Sequence, residues 1–83
     1  MRELSERFGQ VVRRERESKG ISQERLAQLA ELDRTYVQRL ERGKYSPSLE
    51  SIERLAGALQ MFPSELIALS DGSDIDEAEE EAG

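Results

Sequence analysis

The chain has 83 residues, 12 basic and 18 acidic, with no cysteine and no histidine, a formal net charge of −6 and a pI near 4.7. That length holds one domain at most. A domain so small covers only roughly 60% of the surface its unfolded chain exposes, so a second copy would help to complete its core. The lack of cysteine excludes a disulfide framework and a thiolate metal site, and the lack of histidine removes the commonest general base and zinc ligand, and with them most of the case for an enzyme.

The opening MRELSERFGQ has no apolar stretch of the roughly 7–15 residues that a secretion signal carries, and no segment nears the roughly 20 apolar residues of a membrane helix. A soluble, cytoplasmic chain with no membrane partner is expected. The charge is unevenly spread. Residues 71–83, DGSDIDEAEEEAG, hold seven acids and no base, so residues 1–70 carry 11 acids against 12 bases, a charge of +1. A like-charged block with one isoleucine cannot bury enough apolar surface to offset the entropy of ordering it, so 71–83 is expected to be disordered and 1–70 to form the domain. Its carboxylates do not fit a calcium loop, which needs glycine at its sixth position, whereas Gly72 is second. No metal, cofactor or small-molecule ligand is implied.

Within 1–70 the apolar period is helical and no alternating stretch argues for a strand. Leu4, Phe8, Val11 and Val12 mark a first helix over about 3–19, with Gly20 placed to end it in the left-handed conformation. Ser22 can cap a second helix, about 23–29, that turns Leu26, Ala27 and Ala30 inward. Asp33 can cap a third, about 34–41, with Val37 and Leu40 inside and Gly43 as its stop. GKYSPS reads as a loop, after which Ser48 caps a fourth helix carrying Leu49, Ile52, Leu55, Ala56 and Leu59. Pro63 suits the first position of a fifth, about 63–69, where its missing N–H costs nothing. Five short helices with short connections predict a compact all-α bundle.

The second and third helices are separated by about three residues, too few for antiparallel packing. They must cross steeply, as in a helix-turn-helix, whose second helix stands out from the body and fits the major groove of double-stranded DNA. Arg34 and Thr35 lie in the first turn of that helix, where base edges are met, and Arg39 lies about one turn further along the same face. Arginine is the natural reader of guanine O6 and N7, and threonine contacts bases through its hydroxyl or methyl. Gln23 opens the preceding helix, so its side chain and the free N–H groups there suit a phosphate. Arg42, Lys44 and Ser46, in the loop that follows, are candidates for the DNA backbone. Gln38 lies on the exposed side, where a backbone contact and simple solvation both stay open.

Residues 20–59, GISQERLAQLAELDRTYVQRLERGKYSPSLESIERLAGAL, resemble the Cro/C1-type (XRE) helix-turn-helix family of phage repressors and bacterial regulators. The matching positions are Arg13, Arg16, Gly20, Ser22, Gln23, Leu26, Ala27, Ala30, Leu40, Glu41, Gly43, Pro47, Ser48, Leu55, Ala56 and Leu59, within a pattern spanning roughly residues 8–67. LDRTYV…ERG in so short a chain further resembles the controller proteins of restriction–modification systems, small homodimeric regulators that bind operators near their own and the endonuclease gene. The resemblance implies a lambda-repressor-like five-helix domain, an Arg16–Glu41 ion pair between the first and third helices, and a DNA backbone or base-edge contact for Tyr36, which packing between helices would explain equally simply. It also exposes a departure. Glu31 stands where the turn often has glycine, so either a left-handed residue is lost or the turn shifts.

Phe62 has no partner in its own helix and, with Leu66, Ile67 and Leu69, forms a candidate apolar patch for a homodimer. Arg2, Arg7 and Arg14 read as surface charges paired along the first helix with acids such as Glu3 and Glu6. The acidic segment is either a solvated aid to solubility or a tethered competitor with DNA for the basic face. A transcriptional regulator is therefore expected. A phage-type repressor, an antitoxin-type regulator and a protein-interaction module that docks through the acidic segment stay open beside the controller reading, although Arg34 and Arg39 together argue against the last.

Overall fold

Each of the five helices of the described residues begins on a residue held in extended backbone, and three of these residues spend their side chains on the amides that the first turn leaves without partners. The computed structural model describes residues 3–72, and among them it contains five helices and no strand: α1 (Leu4–Ser18), α2 (Gln23–Ala30), α3 (Arg34–Glu41), α4 (Leu49–Ala58) and α5 (Pro63–Ser70). Ser22 Oγ accepts from the Arg25 amide at 3.0 Å, Asp33 Oδ1 from Thr35 at 2.8 Å, and Ser48 Oγ from Ser51 at 3.1 Å. At α5 the roles reverse, with Pro63 in the first turn and Glu65 Oε1 reaching back to accept from the Phe62 amide at 2.8 Å.

Four helices end alike. A left-handed residue stands at the end of each, after the cap in α1, α3 and α4 and at the cap itself, Glu31, in α2, and the next amide folds back onto a carbonyl of the last turn: Ile21 to Arg16, Leu32 to Ala27, Lys44 to Arg39 and Met61 to Ala56. Glycine supplies the left-handed residue at 20 and 43, but glutamate does so at 31, with φ 56° and ψ 44°. The turn between α2 and α3 is thus neither lost nor shifted. The strain of about 1–2 kcal/mol that a side chain meets there is offset by the Leu32–Ala27 hydrogen bond and by Arg54 of α4, whose Nη1 donates to the Glu31 carbonyl at 3.0 Å.

Phe8, Val12, Leu26, Val37, Leu40, Leu55, Leu59 and Leu66 form the centre of one core into which all five helices send a side chain. α1 packs on α3 and α5, α2 on α3 and α4, and α4 on α5. Leu66 corrects the expectation of a surface patch. It is 0% exposed and packed in the core; α5 is apolar on several sides, so its short pattern does not reveal which side faces inward. Leu49, expected among the apolar residues of α4, is 85% exposed instead. Arg7 also departs from its expected place on a charged helix surface. Its Nε donates to the Ser70 carbonyl at 2.9 Å and its Nη2 lies 3.8 Å from the Asp71 carboxylate, tying α1 to the end of α5. Asp71, assigned from composition to the acidic segment, is the C-cap of α5. From residue 73 onward that segment lies outside the described residues, as does Arg2.

Gly9 decides how close α1 comes to α3. A Cβ built there would collide with the Leu40 carbonyl oxygen and stand 3.2 Å from Glu41 Cα, so the two backbones touch where only glycine fits. Inside a helix, alanine should gain about 0.5–1 kcal/mol over glycine, but forcing these helices apart costs about 1–3 kcal/mol. Gly9→Ala should therefore lower the midpoint of urea unfolding; an unchanged or raised midpoint would show that the contact is slack.

Candidate nucleic-acid interface

α3 divides cleanly around its circumference. At about 100° per residue, Arg34, Gln38, Arg42, Thr35 and Arg39 fall within one arc of roughly 140°, while Val37 and Leu40 fall across from it and Glu41 at its edge beside Arg34, and these three are buried. Arg34, Thr35, Arg39 and Arg42 are exposed and Gln38 is half-buried. The apolar arc anchors the helix, the Asp33 cap fixes its first turn, and the polar arc is left to solvent. Lys44 and Ser46 are also exposed in the loop that follows.

Behind that helix lies a buried charge network. Arg16 Nε donates to Glu41 Oε2 at 2.7 Å and Nη2 to Oε1 at 3.0 Å, a bidentate pair in which the Glu41 side chain is 2% exposed and that of Arg16 11%. Arg16 Nη1 also donates to the Ile21 carbonyl at 2.9 Å. The hydrogen bond and charge of Glu41 raise the Arg16 pKa above its already high ordinary value, against the opposing effect of burial. Gln23 joins the same carboxylate, donating from Nε2 to Oε1 at 3.0 Å. One glutamate thus ties α1, α2 and α3 together, and the Gln23 side chain expected at a phosphate is held by Glu41. Arg13, Arg16, Gln23, Gln38, Glu41 and Arg42 line a hollow of about 270 Å³ beside this network.

Tyr36 is half-buried. Its hydroxyl donates to Ser51 Oγ on α4 at 3.1 Å, and its ring stacks on that of Tyr45, with centroids 5.3 Å apart and planes 16° from parallel. Tyr45 in turn accepts from Arg39 Nη1 at 3.0 Å. Sequence reasoning missed Tyr45, whose only signal is an aromatic residue two positions past the Gly43 turn. The fifth helix presents Phe62, 73% exposed, with Leu69 exposed and Ile67 half-buried. Leu49 and Ile67 line a hollow of about 720 Å³ with Pro63 and Ala68. No helix of the described residues is long and apolar enough to cross a membrane.

A helix-turn-helix family model matches residues 12–66, most of the described domain. The chain belongs to that family of DNA-binding regulators, in its Cro/C1-type (XRE) branch. It is similar to the control protein C.BamHI of Bacillus amyloliquefaciens, 46% identical over 61 residues that make up 72% of this chain and 75% of that protein. Among solved structures it resembles the restriction–modification controller protein C.AhdI of Aeromonas hydrophila, with 51% identity and a TM-score of 0.72 over 74% of this chain and 92% of that one. It also resembles the controller protein C.Esp1396I, solved as a tetramer in complex with its natural 35 base-pair operator, with 27% identity and a TM-score of 0.76 over 84% of this chain and 92% of that one.

Removing half of the buried pair strands the other half. Glu41→Ala leaves Arg16 charged and largely buried without its bidentate partner and frees Gln23, and losses of about 3–5 kcal/mol are typical of such breaks. For a domain of this size that is a large share of the whole, at about 0.05–0.15 kcal/mol per residue. Urea unfolding should therefore find Glu41→Ala close to unfolded, and the double variant Arg16→Met with Glu41→Leu should recover much of the loss, since two apolar residues strand no charge. A single variant as stable as the parent chain would show that the pair is solvated.

Proposed function

We propose that this chain is a homodimeric, sequence-specific transcriptional regulator of the controller type, binding a pseudo-palindromic operator of restriction–modification genes. The observation that carries the reading is the division of α3 and its cap: an anchored apolar arc, and across from it Arg34, Thr35, Arg39 and the cap Arg42 exposed, with Gln38 half-buried between them. In this reading Arg34, Thr35 and Arg39 read base edges. Arg42, Lys44, Ser46 and Gln38 hold the DNA backbone, and Tyr36 contributes at the edge of the same surface. Gln23 acts on phosphate through the first turn of α2, where the amides of Gln23 and Glu24 have no acceptor among the described residues, because its side-chain amide already serves Glu41. The kinship to control proteins and to a controller that is solved on its operator supports the choice of target.

The proposed dimer forms on the outer face of α5. Phe62, Leu69 and Ile67 stay in that surface, Leu66 does not, and Leu49 adds the most exposed large apolar side chain of the described residues. Small monomers rarely expose apolar patches beyond a few hundred Å². A two-fold pair joined there would set two recognition helices about 34 Å apart, one turn of duplex.

Two experiments test this reading. Arg34→Ala should cost about 1–3 kcal/mol per half-site on a duplex selected by the protein and relax preference at one base pair, whereas Arg42→Ala or Lys44→Ala should weaken binding to all sequences and lower the salt slope by about one each. Equal losses for Arg34→Ala on selected and random duplex would make Arg34 a phosphate clamp. In sedimentation the chain should run as a dimer at micromolar concentration and Phe62→Glu as a monomer. A parent chain that stays monomeric at high micromolar concentration would remove the dimer.

A further inference from the structure

Tyr45 lies outside the helix-turn-helix proper, yet it makes the only hydrogen bond found for the Arg39 side chain among the described residues. We propose that Tyr45 is a positioning residue for sequence readout, holding the Arg39 guanidinium in the pose that meets a base edge; the proposal rests on the DNA-reading role assigned above to Arg39.

Three features of the geometry carry it. The first is how Tyr45 arrives. Gly43 turns left-handed, with φ 76°, and the Lys44 amide folds back onto the Arg39 carbonyl at 3.0 Å, so the chain re-enters beside residue 39 and delivers the next side chain against it. A side chain at position 43 would also press on Glu6, at 2.9 Å from its Cγ, so this return path needs glycine twice over.

The second is that Tyr45 is itself held. Its ring lies against that of Tyr36, whose hydroxyl is fixed on Ser51 Oγ, and Ser51 Oγ is 3.1 Å from Ser48 Oγ, the cap of α4. A chain of contacts therefore runs from the start of α4 through two stacked rings to the arginine. The phenol is a fixed post rather than a swinging side chain.

The third is what kind of partner Tyr45 is. Arg7, Arg13, Arg16 and Arg54 all lie beside carboxylates. Arg39 is tethered by a neutral hydroxyl, which orients the guanidinium without cancelling its charge. Only Nη1 is engaged, so Nε and Nη2, a parallel pair of donors, remain for the O6 and N7 acceptors of a guanine. An unrestrained arginine loses much rotamer freedom when it docks; one already ordered in the free protein loses less, and the difference appears as affinity.

The test begins with the full chain and a pool of randomised 35-base-pair duplexes, from which the preferred duplex is selected. Binding of the parent chain, Tyr45→Phe, Arg39→Ala and the double variant is then measured on that duplex, on each of its single-base-pair variants and on random duplex. Tyr45→Phe keeps the ring stack and removes only the hydroxyl, so its urea midpoint should match the parent's. It should bind the selected duplex about 2- to 10-fold more weakly, the effect of one solvent-exposed hydrogen bond, and lose discrimination at the same base pair as Arg39→Ala. It should leave random duplex unchanged and add nothing in the Arg39→Ala background. Tyr45→Ala, which also removes the stack, should lose more at that same base pair.

Parent-like binding by Tyr45→Phe, equal weakening on selected and random duplex, or additive losses in the double variant would each overturn the positioning role while leaving the regulator reading intact. Recovery of no preferred duplex by the parent chain would overturn both.

Discussion

A guanidinium from α1 and a carboxylate from α3 meet inside this protein at 2.7 and 3.0 Å, and the position of every proposed DNA contact depends on that meeting. A helix of eight residues is too short to be stable by itself, so α3 owes its place to what it packs against. Leu40 and Val37 supply adhesion, but apolar contact has no direction and permits the helix to roll. The bidentate pair has direction. It fixes the rotation of α3 about its axis and, through Gln23, sets the start of α2 in the same frame. Gly9, two turns earlier on the same face of α1, removes the side chain that would hold α1 off and lets the pair close. Buried ion pairs are weak sources of net stability, and the value of this one lies in the register it imposes.

That register explains how an acidic chain can carry a surface suited to a polyanion. The net charge of −6 belongs to the sequence as a whole, but at physiological salt charges separated by much more than about 8 Å scarcely act on one another. What an approaching phosphate meets is local: Arg34, Arg39, Arg42 and Lys44 on one side of α3 and its following loop, with Glu41 turned inward and already neutralised by Arg16. Several carboxylates are spent locally, Asp33 on the cap of α3 and Glu17, Glu41 and Glu50 on pairs with arginines. The tyrosine stack extends the same logic, because it restrains a cation without neutralising it.

Much of this was legible in the chain. The caps Ser22, Asp33 and Ser48 and the stops Gly20 and Gly43 are local devices, each depending on atoms within a few residues, so the bounds of α2 and α3 could be read to within about one residue. The exposed arc of α3 follows from helical periodicity alone. Other features were not legible because they pair residues far apart. Nothing near Arg7 shows that it will bond to Ser70, 63 positions away. Gly9 reads as a poor helix residue until the Leu40 carbonyl is seen against it, and Leu66 and Leu49 exchange their expected places because short apolar helices do not announce which side faces inward. Glu31 went the other way: a strained residue is tolerated where Arg54 and the returning amide of Leu32 hold the turn.

By itself, then, the sequence determined the five helices of the described residues, the ends of α2 and α3, the helix-turn-helix and which side chains α3 could offer, because these depend on short-range hydrogen bonding and a repeat of 3.6 residues. The tertiary structure alone decided which of those side chains are free. Gln23 is bound inside by Glu41, Tyr36 is shared with α4, Arg39 is steered by Tyr45, and Arg34 is left open to solvent. Such commitments are made between elements, by chains of contact that close only when all five helices have packed, and no local pattern encodes them.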